Sequence, residues 1–411
     1  MQARDNKEVK LNSEQVQQFV LKVLLRIFKW LPIDSKVTEE RLKIILQIVL
    51  LASSGKQSIH HVCRRRKNTL SSVTVRNTIK MMFEETEELE KILNRLIKLT
   101  INRKILRGQP IVSTDIVLTE YYGDPEDPKE VRKGEKRNGT YTFHGFATVY
   151  INLKQQRYTL AVKYVWNDDT MLDTVKRLNR YMMRYGIKPK VWIMDKGYYS
   201  LKLIKWFKTH NKCALMPAKK SGRPVDSPKG PTSTNKFLTC KRSCKTQYTI
   251  KTSNKEFSLT RKRQFVTFNL VVVVIYPDGK ENPSTKKVYL YVAIGLEHMR
   301  PKNIHRLYKQ RFGIETSYRQ THQARIVTSS KSHVLRFFFL GVALVVRNVW
   351  IYLHFSILYQ KRRGPSGRNI VIEKLPFITM LSWIEYSLSS VFTLITEIKI
   401  DNAFRLERLK L

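Results

Sequence analysis

Three acidic residues stand where a carboxylate could take part in chemistry: Asp115, Asp195 and Glu315. Asp115 interrupts the apolar run VSTDIVLTE, where an unpaired carboxylate is costly to bury. Asp195 ends the apolar segment VWIMD just before a glycine turn, and Glu315 lies in the helical pattern RLYKQRFGIETSYRQ. Carboxylates that converge on one point can hold two Mg²⁺ ions roughly 4 Å apart, because Mg²⁺ prefers oxygen ligands. The set therefore suits metal-dependent phosphodiester chemistry.

Each of these residues also has an ordinary structural interpretation. An Asp beside a Gly is most often a turn residue, and Glu315 could form an exposed i,i+4 pair with Arg311. The acidic residues Asp124, Glu126 and Asp127 fit a proline-containing turn better than a ligand set. The interpretation as metal ligands therefore depends on the three carboxylates as an ordered set.

The residues around Glu315 support that interpretation. Tyr308, Arg311, Glu315 and His322 are separated by three, four and seven residues, which predicts one shared helix face. Arg binds phosphate oxygens through two parallel hydrogen bonds. We therefore predict that these neighbours contact phosphates beside the metal ligand, with Lys196 as a further candidate.

The elements that must position the carboxylates follow Gln109. Their order is three strands, a helix, a strand, a helix and a strand, which is the order of a ribonuclease H-like mixed sheet. In such a sheet the first and fourth strands are neighbours, so Asp115 and Asp195 should meet at one edge. The strand patterns are IVSTDIVLTEYYG, FHGFATVYINL, RYTLAVKYVW, KVWIMDKG and CALMP, and the helices cover residues 170–185 and 200–210.

The predicted fold class is α/β: a ribonuclease H-like sheet with a β-rich insertion, preceded by a helical domain and followed by C-terminal helices. The domains are residues 1–105, helical, basic and DNA-binding, and residues 106–411, catalytic, with the insertion over about 218–300. The insertion contains three strand patterns and a hairpin turn at Pro277-Asp278-Gly279.

The N-terminal segment has the elements of a helix-turn-helix module. A helix from Glu39 to Ala52 and a Ser-Ser-Gly turn precede the basic run Arg64-Arg65-Arg66-Lys67, and Ser71 could cap a further helix. A DNA-reading module and a plain helical bundle with a solvated basic run remain equally open.

The charge balance indicates a polyanionic partner. The 411 residues contain 76 Lys and Arg against 33 Asp and Glu, a formal net charge of +43. Nucleic acid is the expected partner, with phosphate contacts that make binding salt-dependent. An anionic membrane is the weakest alternative, because no segment shows a sustained basic amphipathic face. The apolar segment from Val334 to Tyr359 has an uninterrupted run of only Phe337 to Val346, which predicts a buried core helix.

Cysteine use indicates a reducing compartment. The chain has four cysteines, too few for a disulfide framework, and a polar N-terminal sequence without a signal peptide. A zinc site is a minor alternative, because only the Cys240-x3-Cys244 pair has tight spacing. Its remaining candidate ligands are His210 and Cys213.

Three motifs resemble the insertion-sequence transposases of the DDE type. Their signature Tyr-x2-Arg-x3-Glu-x6-Lys is matched at Tyr308, Arg311 and Glu315. WIMDKGYYS is similar to their second-carboxylate motif, VSTDIVLTEYYG to their first, and the β-rich insertion lies between second and third. The resemblance covers about residues 105–350. One departure is His322 in place of the signature Lys, and Arg319 or Arg325 could substitute for it.

The resemblance implies Mg²⁺-dependent hydrolysis at the element ends, followed by attack of the freed 3′-hydroxyl on target DNA. Two ions, Mg²⁺ or alternatively Mn²⁺, would be held by the three carboxylates. The implied partners are double-stranded DNA, both terminal inverted repeats and target, and a second copy of the chain on DNA. The expected location is the cytoplasm, associated with the nucleoid. A DNA-binding protein without catalysis, or a ribonuclease H-like nuclease of recombination or repair, remains an alternative.

Overall fold

A computed structural model describes residues 10–31, 37–102, 106, 109–125, 127–153, 156–252, 263–278, 282, 284–311, 321–361, 368–369 and 371–396. The chain divides into two compact units, each assembled from separated segments. The first unit comprises residues 1–85, 321–350 and 371–411, and the second comprises 86–320 and 351–370. The domain boundary expected at residue 105 stays a prediction.

The described helices and strands follow one another from a helical start through a β-rich middle to a helical end. The helices are α1 (Ser13–Leu25), α2 (Glu39–Ser54), α3 (Ile59–Arg65), α4 (Ser72–Met82), α5 (Thr86–Leu99), α6 (Met171–Arg184), α7 (Leu201–Thr209), α8 (Pro301–Lys309), α9 (His333–Ser356) and α10 (Phe377–Ser389). The strands are β1 (Ile111–Tyr121), β2 (Arg132–Arg137), β3 (Thr140–Leu153), β4 (Gln156–Val165), β5 (Val191–Ile193), β6 (Ala214–Pro217), β7 (Cys244–Lys251), β8 (Phe265–Ile275), β9 (Lys287–Ile294), β10 (Gln360–Lys361) and β11 (Arg368–Asn369).

In the first unit, polar side chains cap the N-termini of the first four helices. Asn12 forms a capping box with Gln15 at α1, and the caps of α2, α3 and α4 are Thr38, Ser58 and Ser71. Each cap satisfies a backbone N–H that has no partner inside the helix. The cap predicted at Ser71 is confirmed, and α2, α3 and α4 follow one another as a helix-turn-helix module requires.

The helix α9 is long and apolar enough to cross a membrane by length and composition, but its apolar window is entirely buried within the protein. Burial inside the protein is what the short uninterrupted run from Phe337 to Val346 predicted. The bent pair α2 and α3, at 106° to each other, passes the same test only if the two are counted together.

The second unit is built on a mixed sheet that has nine strands among the described residues. The strands are ordered β2-β3-β1-β5-β6-β9-β8-β7, with β4 also paired to β3. β1 is antiparallel to β3, β3 is antiparallel to β4, and β1, β5 and β6 are parallel neighbours. The ribonuclease H-like arrangement and the adjacency of the first and fourth predicted strands are therefore confirmed.

Successive side chains of the central strands point to opposite faces of this sheet, and both faces are buried. On one face Trp192, Ala214 and Leu270 join side chains of α6 and α7 such as Leu178 and Phe207. On the opposite face Ile193, Leu215 and Val271 pack with residues of α8, including Ile304 and Leu307. Helices thus cover both sides of the central strands, which explains why β5 and β6 are apolar throughout rather than alternating.

Three features differ from the sequence prediction. The β-rich insertion is not a separate piece, because β9 pairs with β6 and continues the same sheet through β8 to β7. Two short strands, β10 and β11, form a small antiparallel pair in the region predicted to be helical. The helix predicted to carry Tyr308 and Arg311 on one face ends at Lys309, where bonds from Gln310 and Arg311 to carbonyls three residues earlier tighten the last turn.

Candidate active site

Asp115 and Asp195 lie at the same edge of the sheet. The parallel register of β1 and β5 pairs Ser113 with Ile193, and each aspartate lies two residues beyond that pair. Neighbouring strands are about 4.8 Å apart, so the two carboxylates share one small region. The side chain of Asp115 is 21% exposed and that of Asp195 is 48% exposed. Both can therefore be reached from solvent.

Backbone amides orient the two carboxylates. Ile116 N–H donates to Asp115 Oδ1 at 2.8 Å, and Lys196 N–H donates to Asp195 Oδ1 at 2.7 Å. Asp195 is also the N-cap of a short 3-10 helix, Lys196–Tyr198. The turn interpretation of Asp195 and its placement at the site are therefore compatible.

A buried arginine lies against Asp115. Arg157, on β4, is 5% exposed, and its Nη2 lies 3.3 Å from Asp115 Oδ2. Its guanidinium stacks 4.2 Å from the centre of the Tyr150 ring, on β3. Burial raises the pKa of Tyr150 to about 12, against the opposing effect of Arg157. The tyrosine is therefore a neutral platform on which the guanidinium faces the carboxylate.

Arg311 approaches Asp195 from the turn that follows α8. Its Nη2 lies 3.4 Å from Asp195 Oδ1, and its guanidinium lies 5.5 Å from the ring centre of Tyr308. Burial disfavours the charged guanidinium, but Tyr308, Asp195, Tyr150 and nearby Asp115 outweigh it and raise the pKa of Arg311. The Asn152 amide donates to Gln310 O at 2.5 Å, which fixes this turn to β3.

Tyr198 is a buried tyrosine close to the two carboxylates. Its hydroxyl lies 3.2 Å from Thr114 Oγ1, and that threonine in turn donates to Thr148 O at 2.9 Å. Complete burial raises the pKa of Tyr198, with a further contribution from the charge of Asp115. The phenol therefore stays neutral and serves as a rigid support rather than as a base.

A cavity of about 580 Å³ is lined in part by Lys196, the residue that follows Asp195. Aromatic rings and ammonium groups line it, which is the combination that single nucleic-acid strands use for base stacking and phosphate contact. His305 Nδ1 lies 2.7 Å from Tyr291 OH, while its buried Nε2 has no hydrogen-bond partner among the described residues. The lining includes Lys196, Lys220, Tyr289, Tyr291, His305, Tyr308 and Lys309.

Of the remaining predicted residues, Lys196 is placed at this site by the structure. Glu315 and Arg319 lie outside the described residues. His322 is exposed and belongs to the first unit, whereas Tyr308 and Arg311 belong to the second. Lys196 is exposed beside Asp195.

The basic run divides into two environments. Arg64 and Arg65 are exposed at the end of α3. Arg66 is buried, donates to Ser389 Oγ at 3.0 Å and to Phe392 O at 2.9 Å, and lies 3.6 Å from Glu385. Arg66 therefore holds α10 and the residues just after it, which corrects the expectation that its guanidinium is available to DNA.

The described residues fit a divalent cation at the carboxylates better than zinc at the cysteines. Asp115 and Asp195 supply hard oxygen donors that are partly open to solvent, as Mg²⁺ requires. Their third expected ligand, Glu315, is not among the described residues, within which no group of three His, Cys, Asp or Glu could hold a metal. Cys213 donates to Gly295 O instead, and the cysteines that the structure describes are free thiols.

Arg157, Tyr150 and Asn152 were missed by the sequence interpretation. A signal for Arg157 existed, since it is a charge at the start of the otherwise apolar strand RYTLAV. Tyr150 and Asn152 gave none, because their roles depend on strand register. A spacing of two between Tyr289 and Tyr291 could have predicted a shared face.

A mixed sheet in this strand order, with two aspartates at one edge, defines a ribonuclease H-like α/β protein with an acidic site. The transposase DDE domain model matches residues 125–347, more than half of the chain. The chain therefore belongs to the transposase DDE domain family. The match includes Asp195 and Glu315 and begins just after Asp115.

Comparison with solved structures finds a cryo-EM piggyBac transposase synaptic complex with hairpin DNA. The alignment covers 98% of this chain and 78% of that chain, at 10% sequence identity and a TM-score of 0.45. A sequence comparison with curated proteins gives no match.

Proposed function

We propose that this transposase binds the ends of its own insertion sequence, cleaves them by metal-dependent phosphodiester hydrolysis and joins the 3′-hydroxyl ends to target DNA. The observation that carries the proposal is the convergence of Asp115 and Asp195 at one edge of β1 and β5, with cationic Arg311 beside them. Membership of the transposase DDE domain family supports it.

Asp115, Asp195 and Glu315 would hold two divalent cations, Mg²⁺ or alternatively Mn²⁺. When bound, such ions activate the attacking oxygen and stabilise the charge on the leaving oxygen. The protein's own contribution is orientation. Amides of Ile116 and Lys196 fix one oxygen of each aspartate, and Arg157 restrains Asp115 from the buried side.

Arg311 and Tyr308 are proposed to hold the phosphate next to the cut. The contact from Arg311 to Asp195, at 3.4 Å, is longer than the 2.7–2.9 Å typical of a strong charged hydrogen bond. A phosphate can therefore take this guanidinium without breaking a tight pair. Lys196 and Lys309, at the rim of the cavity, would contact the adjoining phosphates.

DNA recognition away from the cut is assigned to the first unit. Arg64 and Arg65, exposed at the end of α3, would contact phosphates, and α4 with its Ser71 cap would enter the major groove. His322 and the undescribed Arg319 remain proposed phosphate contacts. Because two element ends must be held together, a homodimer on DNA is proposed, acting at the nucleoid in the cytoplasm.

The test is a cleavage and joining assay on a linear duplex that carries the genomic DNA flanking the gene on both sides. Wild-type protein with Mg²⁺ should nick this duplex at defined positions and join a 3′-hydroxyl end to a supercoiled plasmid. Asp195→Asn should do neither, whereas the matched control Asp168→Asn, at an exposed loop residue, should do both.

Each alternative predicts a different result. Binding without nicking by the wild type would leave a non-catalytic DNA-binding protein, and nicking without joining would leave a nuclease. Short inverted repeats in the flanking DNA, bracketed by a direct duplication, would support the transposase independently of the enzyme.

A further inference from the structure

The connection between β6 and β7, residues 218–243, is strongly basic and begins near the carboxylates; we call it the basic loop. It contains seven Lys and Arg residues and a single acidic residue, Asp226. All seven cations are exposed. They are Lys219, Lys220, Arg223, Lys229, Lys236, Lys241 and Arg242.

The loop leaves the sheet at the edge that carries the two aspartates. β6 is parallel to β5, so the residue after Pro217 emerges at the same edge as Asp195. Ala218 and Lys220 line the cavity together with Lys196. The cationic segment therefore begins beside the candidate active site.

Internal hydrogen bonds hold the loop in one conformation. The buried hydroxyl of Thr234 accepts from Ser221 N–H at 2.7 Å and donates to Lys219 O at 2.9 Å. The Asn235 amide donates to Gly222 O at 3.0 Å. Gly222 has φ +89°, and a Cβ there would lie 2.4 Å from Thr232 O, so only glycine fits. The loop therefore has a defined structure of its own.

Arg223 differs from the lysines in what it contacts. Its Nε donates to Gly230 O at 3.1 Å and its Nη2 to Lys229 O at 3.2 Å. Its guanidinium therefore binds carbonyls of the loop itself and holds the tip of the loop together. Lys219, Lys220 and Lys229 are left to act on an external anion.

From this arrangement we propose that the basic loop is a preformed docking surface for the phosphate backbone of duplex DNA, beside the position of cleavage. Charge complementarity selects DNA as its occupant, since exposed ammonium groups at one sheet edge match closely spaced phosphates. Arg223 is a positioning residue of this surface. The inference rests on the proposed function only in taking DNA as the partner.

The first experiment measures the salt dependence of binding to a 30-base-pair duplex of random sequence by fluorescence anisotropy. Each phosphate contact contributes about 0.9 to the slope of log K against log salt, so removing three should lower the slope by about 2.7. Between 50 and 200 mM salt, wild type should therefore lose about 40-fold more affinity than the variant K219Q/K220Q/K229Q.

The matched control is K176Q/K188Q/K190Q, which removes the same charge from exposed lysines elsewhere in the second unit. We expect its slope to stay within one unit of wild type. Equal slopes for the two triple variants would overturn the inference, because binding would then follow net charge alone.

The second experiment needs no substitution in the loop. Lysine acetylation followed by mass spectrometry on the Asp195→Asn protein should show that the duplex protects Lys219, Lys220 and Lys229 at least fivefold more than Lys188 and Lys190. Unprotected loop lysines would refute the docking surface even if wild type cuts DNA. If the loop lysines are protected but the wild-type protein never cuts DNA in Mg²⁺, the proposed function is refuted and the docking surface stands.

Discussion

Replacing the two aspartates should have different effects on stability, although both replacements should abolish cleavage. Asp115→Asn removes a full negative charge from the side of Arg157, which is almost completely buried, whereas Asp195→Asn affects a half-exposed carboxylate. Removing one partner of a fully buried pair costs about 3–5 kcal/mol. Because Asp115 is partly exposed and its contact is 3.3 Å long, we expect about 2 kcal/mol here, against less than about 0.5 kcal/mol at Asp195.

Calorimetry without metal or DNA can measure this difference. For a folding unit of this size about 2 kcal/mol corresponds to a fall in Tm of roughly 4–8 °C, so Asp115→Asn should unfold clearly below wild type. Asp195→Asn and the control Asp168→Asn should unfold within about 2 °C of it. The double variant D115N/R157M should recover part of the loss, since it no longer buries a cation.

Equal Tm values for the two Asp→Asn variants would refute the reasoning. So would a further fall in Tm on adding Arg157→Met to Asp115→Asn. Either result would show that Arg157 stabilises the protein through its packing on Tyr150 and not through the charge of Asp115.

Three further predictions concern other charged groups. Arg311→Lys keeps the charge but loses the planar fork, so it should cleave DNA about tenfold more slowly than wild type, and Arg311→Gln more slowly again, in single-turnover assays. Arg66→Ala should lower the Tm of the first unit by several degrees with an unchanged salt slope for DNA, whereas Arg64→Ala should lower the slope by about 0.9 with an unchanged Tm. Burial, with the charge of Lys309, lowers the pKa of His305. The stability that its neutral form confers is therefore present above about pH 6.5 and is lost as the pH falls below that value. His305→Gln should show a smaller fall in Tm between pH 7 and pH 5 than wild type.

Hydrophobic periodicity was sufficient to predict the five strands of the ribonuclease H-like sheet. The apolar runs around Asp115 and Asp195 are bounded by turn residues, which predicts two strands. The predicted strand order places these two strands side by side. Periodicity does not specify which strand receives an insertion, so the pairing of β9 with β6 was missed. Both faces of β6 are apolar, which indicates a central strand but does not indicate which strands pair with it.

Contacts that depend on register could not be predicted from local sequence. The contact between Arg157 and Asp115 requires β4, β3 and β1 to align, and one residue of slip would turn Arg157 to the other face. The end of α8 at Lys309 was missed because the spacing of Tyr308, Arg311 and Glu315 fits a helix. The prediction that Arg66 is available to DNA failed for another reason, since a run of basic residues does not reveal which of them is buried.

The first unit takes its helices from widely separated segments of the sequence, because α1 and α2 pack against α10. During synthesis the ribosome must therefore reach the end of α10, at Ser389, before α1 and α2 gain the helix that covers them. A nascent or prematurely terminated chain would display their apolar side to chaperones and proteases. An isolated N-terminal fragment such as residues 1–105 should accordingly aggregate when expressed, and only completed molecules would present Arg64 and Arg65 on a folded surface.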